Sequence, residues 1–133
     1  MRHQLFRVAL ASAAALSLAA ATAPAVHASP AAPVAAHCPK GFLCLYEGPH
    51  QTGRILLKEN AHIRKDGFTL RELGDIEPPI HPFSTFNPLP DDFDCIIRLN
   101  DEPNFAGDEQ ELVGFGKHEL DGHRVGSLTA DCG

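Results

Sequence analysis

The sequence is short of positive charge, with 11 Lys and Arg against 17 Asp and Glu in 133 residues and a net charge of −6. A nucleic-acid-binding domain presents a basic face, so this balance argues against that class of protein. The 11 Gly and 11 Pro interrupt the chain too often for a long helix or a coiled coil. The 44% of hydrophobic residues and the length fit one globular domain.

Long hydrophobic runs are also scarce, because no second one follows the first 28 residues. The run from Val8 to Ala21 follows a basic start and leads to small residues near position 28, which is the pattern of a secretory signal peptide. It is too short and too rich in Ala to predict a retained transmembrane helix. We therefore expect residues 1–28 to be a signal peptide and the protein to be secreted, with no membrane contact after the signal is removed.

The cleavage site is expected between Ala28 and Ser29, and cuts after Ala25 or Ala36 also fit the pattern. Removal of the signal leaves nine basic residues against 17 acidic ones, a net charge of −8. Residues 29–37 are rich in Ala and Pro and are expected to be a disordered leader. The single domain would then span residues 38–133.

Four cysteines lie in this domain, and they lack the two close C-x-x-C pairs of a zinc site. An even number of cysteines in a small exported domain predicts disulfides. Three pairings can be drawn, and we prefer Cys38–Cys44, which closes a tight loop, together with Cys95–Cys132. In the chain-entropy model they contribute about 2 and about 4 kcal/mol respectively.

Short apolar segments bounded by Gly, Pro, Asn and Asp predict an all-β domain. The expected strands are Phe42–Tyr46, Arg54–Leu57, Cys95–Leu99, a strand that includes Gln110–Val113, and Val125–Ala130.

One helical signal is present. Thr69 and Glu72 have the spacing of a capping box, and Gly74 is a plausible stop. We expect one short helix there at most.

The two halves of the domain resemble each other. Residues 45–53 align without gaps to residues 99–107, so that a Leu, an acidic residue, a Pro and a Gly coincide. Such self-similarity predicts two copies of one supersecondary unit, at about 38–90 and 91–133.

This repeat is similar to the βγ-crystallin Greek-key pattern, in which two spaced aromatics precede a Gly and a Ser falls late in each unit. The matching residues are Tyr46, Gly53 and Ser84 in the first unit and Phe105, Gly107 and Ser127 in the second. Gln51 and Asn100 stand where the other aromatic of each pair would be. The resemblance implies a β-sandwich of two Greek-key units.

The stretch from Cys38 to Tyr46 resembles the start of the secreted metalloproteinase inhibitor family of streptomycetes, which has a single βγ-crystallin-like domain of about this size. The resemblance implies a peptidase inhibitor whose partner is an extracellular protease, with metalloproteases as the class that the family suggests. The family's founding inhibitor carries its reactive bond in a second short Cys-to-Cys loop, and Cys95 and Cys132 are too far apart to close one.

A protease-binding segment is expected in the proline-rich stretch Glu77–Pro90, where the first unit is longer than the second. Prolines hold a segment extended and reduce the entropy lost on binding. The candidate contact residues are Ile80, Phe83 and Phe86, and the competing interpretation is a plain linker between the units.

No cofactor or metal is expected. The positions before Ser84 and Ser127 lack the carboxylates that Ca²⁺ needs, and Asp91–Asp94 is interpreted as a solvated face. His118 and His123 are one residue too far apart for a zincin motif, so no catalytic residue is assigned.

The sequence thus predicts a secreted, monomeric binding protein that is not an enzyme. Peptidase inhibition is the first hypothesis. The alternative is a crystallin-like structural or stress protein of the cell exterior, with or without calcium, and a secreted antimicrobial toxin on the same fold is a third.

Overall fold

The computed structural model describes residues 35–133. The predicted signal peptide at 1–28 and residues 29–34 of the predicted leader lie outside the described residues. Within the rest of that leader, Ala35 forms an isolated antiparallel bridge with Thr52.

Seven β-strands carry the fold, and the all-β prediction is confirmed. They are β1 (Phe42–Tyr46), β2 (Ile55–Asn60), β3 (Ser84–Asn87), β4 (Cys95–Asn100), β5 (Glu109–Val113), β6 (Gly116–Glu119) and β7 (Ser127–Cys132). Three single 3-10 turns, at Pro49–Gln51, Asp91–Phe93 and Pro103–Phe105, are the helical elements between residues 35 and 133. No helix in that part of the chain is long and apolar enough to cross a lipid bilayer.

The helical signal at residues 69–74 does not form a helix, which agrees with the expectation of one short helix at most. Glu72 accepts a hydrogen bond from the Thr129 hydroxyl at 3.0 Å instead of capping a turn that begins at Thr69. Leu73 exchanges two backbone hydrogen bonds with Leu128, at 2.9 and 2.8 Å. Because the edge of β7 satisfies these backbone groups, the segment runs extended despite its helical capping pattern.

The strands form two antiparallel sheets. The first has the order β2-β1-β3-β6 and the second has the order β5-β4-β7. The bridge between Leu73 and Leu128 continues the second sheet beyond β7. β6 therefore belongs to the second half of the chain but pairs with the first sheet. Conversely, the Leu73 segment belongs to the first half of the chain but pairs with the second sheet. The result is a sandwich of two Greek-key units, as the sequence predicts.

Matching registers relate the two sheets. Tyr46 pairs with Ile55 at the end of β1, and Asn100 pairs with Glu109 at the end of β4. Both residues of the second pair lie 54 positions after their counterparts in the first. The repeat read from the sequence is therefore a repeat of structure.

The hydrophobic core lies between the sheets. Along β4, Ile97 and Leu99 are fully buried while Arg98 between them is partly exposed, as the alternation of a strand requires. Both sheets contribute to one buried cluster, whose members are Leu43, Leu45, Ala61, Leu70, Leu89, Ile97, Leu99, Leu112, Leu120, Val125 and Leu128. Since neither sheet faces a core of its own, the units share a single apolar interior.

Candidate functional site

Each unit contains a folded corner where its first hairpin turns. In the first unit His50 and Gln51 have φ of 53° and 57°, and Gly53 has φ of 75°. In the second unit Asn104 and Phe105 have φ of 57° and 60°, and Gly107 follows at 81°. Two consecutive non-glycine residues in the left-handed region are uncommon, so these corners depend on contacts elsewhere in the fold.

The late serines supply those contacts. Ser84 donates its hydroxyl hydrogen to the carbonyl of Gly48 at 2.6 Å and accepts the N–H of Gln51 at 2.8 Å. Ser127 does the same for Glu102 and Phe105, at 2.6 and 2.9 Å. Each hydroxyl therefore joins both ends of its corner, which explains why a Ser falls late in each unit.

The aromatic positions differ between the corners. Tyr46 is buried, and burial raises the pKa of its phenol. Asn100 takes the equivalent place in the second unit and is also buried, and its Oδ1 has no hydrogen-bond partner among residues 35–133. Phe105 is 40% exposed and its ring lies against Gly74. These residues hold the scaffold of the two units.

The four cysteines form Cys38–Cys44 and Cys95–Cys132, the pairing preferred from the sequence. The second disulfide joins register partners at the ends of β4 and β7. Disulfides are typical of proteins that fold in an oxidising compartment.

Backbone hydrogen bonds hold the proline-rich stretch before β3 to the second unit. We call residues 75–83 the proline loop. Ile76 donates its N–H to Gly126 O at 2.8 Å, and Ile80 exchanges two backbone hydrogen bonds with Val125, at 3.1 and 2.8 Å. Between these anchors Glu77 and Pro78 are exposed. The loop is thus an ordered surface feature held every few residues.

The three predicted protease-contact residues do not lie on one surface. Ile80 packs against the core cluster. Phe83 is 43% exposed at the end of the proline loop, and its ring lies over Gly122. Phe86 lies in β3, an inner strand of the first sheet, where its ring meets Phe115 edge-on at 5.5 Å. Of the three, Phe83 is the residue that the proline loop presents to solvent.

Phe86 lies instead in an apolar groove that the sequence analysis missed. The groove has a volume of about 650 Å³ and is lined by His37, Cys38, Lys40, Gly41, Ile63, Phe86, Pro88, Pro90 and Phe115. Phe115 and Ile63 are 58% and 39% exposed. The sequence draws attention to Phe115 alone, because it stands between two glycines, and it does not indicate which other segments meet this residue.

The acidic stretch Asp91–Asp94 and the histidines His118 and His123 do not form a metal site among the described residues. The Asp91 carboxylate accepts the N–H of Phe115 at 2.6 Å, so it fixes the turn before β6. His118 lies in β6 and contacts Gly114 O at 2.9 Å, while the N–H of His123 bonds Asp121 in a turn. Across residues 35–133, no group of three His, Cys, Asp or Glu side chains could hold a metal ion.

Similarity to known proteins is found at the level of structure. No protein-family model matches the sequence, and no curated protein is similar to it. The chain is similar to a solved structure described as "IPSE alpha-1, an IgE-binding crystallin", with 17% identity and a TM-score of 0.48. The match covers 71% of this chain and 93% of the other.

Proposed function

We propose that this protein is secreted and binds an extracellular protease through the proline loop, inhibiting it by surface complementarity without chemistry of its own. The observation that supports this proposal is the anchoring of the loop. Backbone hydrogen bonds at Ile76, Ile80 and Phe83 hold it to its neighbours, while Glu77, Pro78 and the ring of Phe83 face solvent.

Anchoring matters because a segment that is already ordered loses little conformational entropy when an enzyme cleft binds it. Phe83 donates its N–H to Tyr46 O and accepts the N–H of Leu120, both at 2.9 Å, which fixes the C-terminal end of the loop. Prolines at 78, 79 and 82 restrict the backbone further. The exposed phenyl ring of Phe83 then offers an apolar anchor at a fixed position.

The partner class comes from the sequence. The stretch from Cys38 to Tyr46 resembles the start of secreted metalloproteinase inhibitors, and the two disulfides fit an extracellular site of action. N-terminal sequencing of the protein released by the producing cell tests secretion. We expect it to begin at Ser29, and retention of the protein inside the cell would contradict the proposal.

Inhibition is tested with a panel of secreted metalloproteases and serine proteases. We expect nanomolar inhibition of at least one of them. Phe83→Ala should weaken it by about tenfold or more, because a buried phenyl contact is lost. The matched control is Val113→Ala, since Val113 is 62% exposed on β5 and lies outside the proline loop.

Pro78→Gly provides a second variant, because Pro78 is exposed and its removal loosens the loop without removing the phenyl contact. We expect weaker inhibition and faster cleavage of the loop by the target protease. Equal inhibition by the parent, Phe83→Ala and Pro78→Gly would remove the proline loop from the proposal.

The alternative is a crystallin-like structural protein of the cell exterior. It is supported by the shared core of the two Greek-key units and by a disulfide on the first strand of each sheet, through Cys44 in β1 and Cys95 in β4. No inhibition of any panel member at micromolar protein would favour this alternative. Calorimetric titration with millimolar calcium tests its metal-binding form.

A further inference from the structure

The groove beside β3 has few groups that could bind a peptide backbone. Pro88 and Pro90 have no N–H. The carbonyl of Gly41 accepts the N–H of Ala61 at 2.9 Å, and the N–H of Phe115 is donated to Asp91. Phe86 lies between β1 and β6, so its backbone faces paired strands on both sides.

This lining selects the chemistry of an occupant. A peptide buried in the groove would leave its own N–H and C=O groups without partners, which is costly. A hydrocarbon chain has no such groups to satisfy and gains from contact with Phe86, Phe115 and Ile63. A volume of about 650 Å³ is also in the range of small-molecule sites.

The charges near the groove favour an occupant whose polar end is negatively charged. In this acidic protein Arg54, Arg71 and Arg98 each form an ion pair with a carboxylate. Six other basic residues have no such ion pair within residues 35–133, and four of them lie in the groove, in an adjoining pocket or next to the groove lining in the chain. Lys40 lines the groove itself, Lys117 lines an adjoining pocket that shares Phe86, and Arg64 and Lys65 directly follow Ile63 in the chain.

We propose that this groove binds a single-chain aliphatic carboxylate, a fatty acid, with its alkyl chain against Phe86 and Phe115 and its carboxylate beside Lys40. The lysine ammonium is a compact charge on a flexible stem, so it can follow a carboxylate at the mouth of an open groove. The inference concerns a surface outside the proline loop and does not depend on protease inhibition.

The test is a titration of the purified, isotope-labelled protein with dodecanoate below its micelle concentration, followed by amide NMR. We expect saturable shifts at Lys40, Gly114 and Phe115. Dodecyltrimethylammonium, which has the same chain and a positive head, should bind more weakly, and acetate should produce no saturable shift. Equal binding of the two amphiphiles, or shifts centred elsewhere, would overturn the proposal.

Matched variants separate the chain from the head group. Phe115→Ser should weaken dodecanoate binding by about tenfold or more through lost apolar contact, whereas Val113→Ser, at another exposed apolar position, should not. Ile63→Ser gives a second change in the groove wall.

Lys40→Glu should weaken binding severalfold, while Lys58→Glu, the same charge change on β2, should not. Undiminished binding by both groove-wall variants, or equal effects of the two lysine changes, would contradict the assignment. Tight binding of an apolar peptide in place of dodecanoate would also contradict it.

Discussion

At the scale of single residues, the two corners depend on one hydroxyl each. Ser84 and Ser127 are fully buried, and each satisfies a carbonyl and an N–H that no strand pairs. The two corners differ in solvent exposure, because Gln51 is buried while Phe105 is 40% exposed. The same serine is therefore expected to matter more in the first unit than in the second.

Ser84→Ala leaves the buried N–H of Gln51 without a partner and removes the hydrogen bond to the partly buried carbonyl of Gly48. We expect it to lower the free energy of unfolding by about 2–3 kcal/mol, and Ser127→Ala by about 1 kcal/mol, because the Phe105 corner is the more exposed of the two. Urea unfolding followed by circular dichroism measures both. A larger loss for Ser127→Ala would show that exposure of the corner does not set the cost.

Glu47 and Arg54 form an exposed ion pair beside the first corner. The hydrogen bond from Arg54, followed by its positive charge, holds the pKa of Glu47 below its ordinary value of 4.5. A lowered carboxyl pKa in the folded state stabilises the protein above the pKa of the unfolded chain, and this stabilisation is lost as the pH falls through the folded pKa.

Glu47→Gln should therefore reduce stability slightly at neutral pH and not at all in acid. The difference in urea midpoint between parent and variant should be constant above about pH 6 and shrink as the pH falls below the ordinary carboxyl pKa. Glu77→Gln is the control, since Glu77 has no ion pair within residues 35–133. A difference that grew in acid would contradict the sign.

At the scale of elements, the sequence predicts strands whose apolar residues alternate or cluster. β1 and β4 have apolar segments bounded by acidic turns, and both were located within one residue of their observed limits. β3 was missed as a strand because its buried residues Ser84, Thr85 and Asn87 are polar. β6 was missed because an exposed edge strand needs no apolar pattern.

The candidate sites also differ in how much of each could be predicted from local sequence. Local spacing was enough to find the corner residues, because each corner is closed by its own unit. The groove could not be predicted, since topology brings Lys40, Ile63, Phe86 and Phe115 together from four separate segments. The proline loop lies between these cases, because its composition is local but its anchors at Val125 and Gly126 are not.

The outer face of the second sheet depends on Arg98. Its guanidinium lies 2.7 Å from Glu109, 3.6 Å from Glu111 and 3.1 Å from Asp131, so one cation on β4 neutralises carboxylates on both neighbouring strands, β5 and β7. Removal of this charge leaves the carboxylates to repel one another across the sheet.

We expect Arg98→Met to cost about 1–2 kcal/mol of unfolding free energy. Added salt should recover part of the loss, because it screens the remaining carboxylates. Arg71→Met is the control, since Arg71 is largely exposed and pairs with Glu59 alone. It should cost no more than about 0.5 kcal/mol in urea unfolding. Equal losses in the two variants, with no salt effect, would show that the three carboxylates do not act together.

At the scale of the whole molecule, the units are interlocked. β6 adds to the first sheet and the Leu73 segment adds to the second, and one core lies between them. Each sheet is therefore complete only when both halves of the chain are folded. We expect a single cooperative unfolding transition and no state in which one unit is folded alone.

The disulfides should differ in their effects on this transition. Cys95–Cys132 closes a separation of 37 residues and Cys38–Cys44 one of 6. Replacing both cysteines by Ser should lower the free energy of unfolding by about 4 kcal/mol in the first case and about 2 kcal/mol in the second. Urea titrations of the two double variants measure this order, and the reverse order would show that loop length does not decide it.

The hairpin tip between Arg64 and Gly67 determines what a single cleavage of the backbone there would do. Lys65 and Asp66 are exposed there, in a turn closed by a 2.7 Å hydrogen bond. A single nick at Lys65 would divide the chain into a piece with β1 and β2 and a piece with the remaining five strands. Neither disulfide joins these pieces. The nicked molecule would stay together as a two-chain complex through β1–β3 pairing, and it would dissociate in denaturant without any reducing agent.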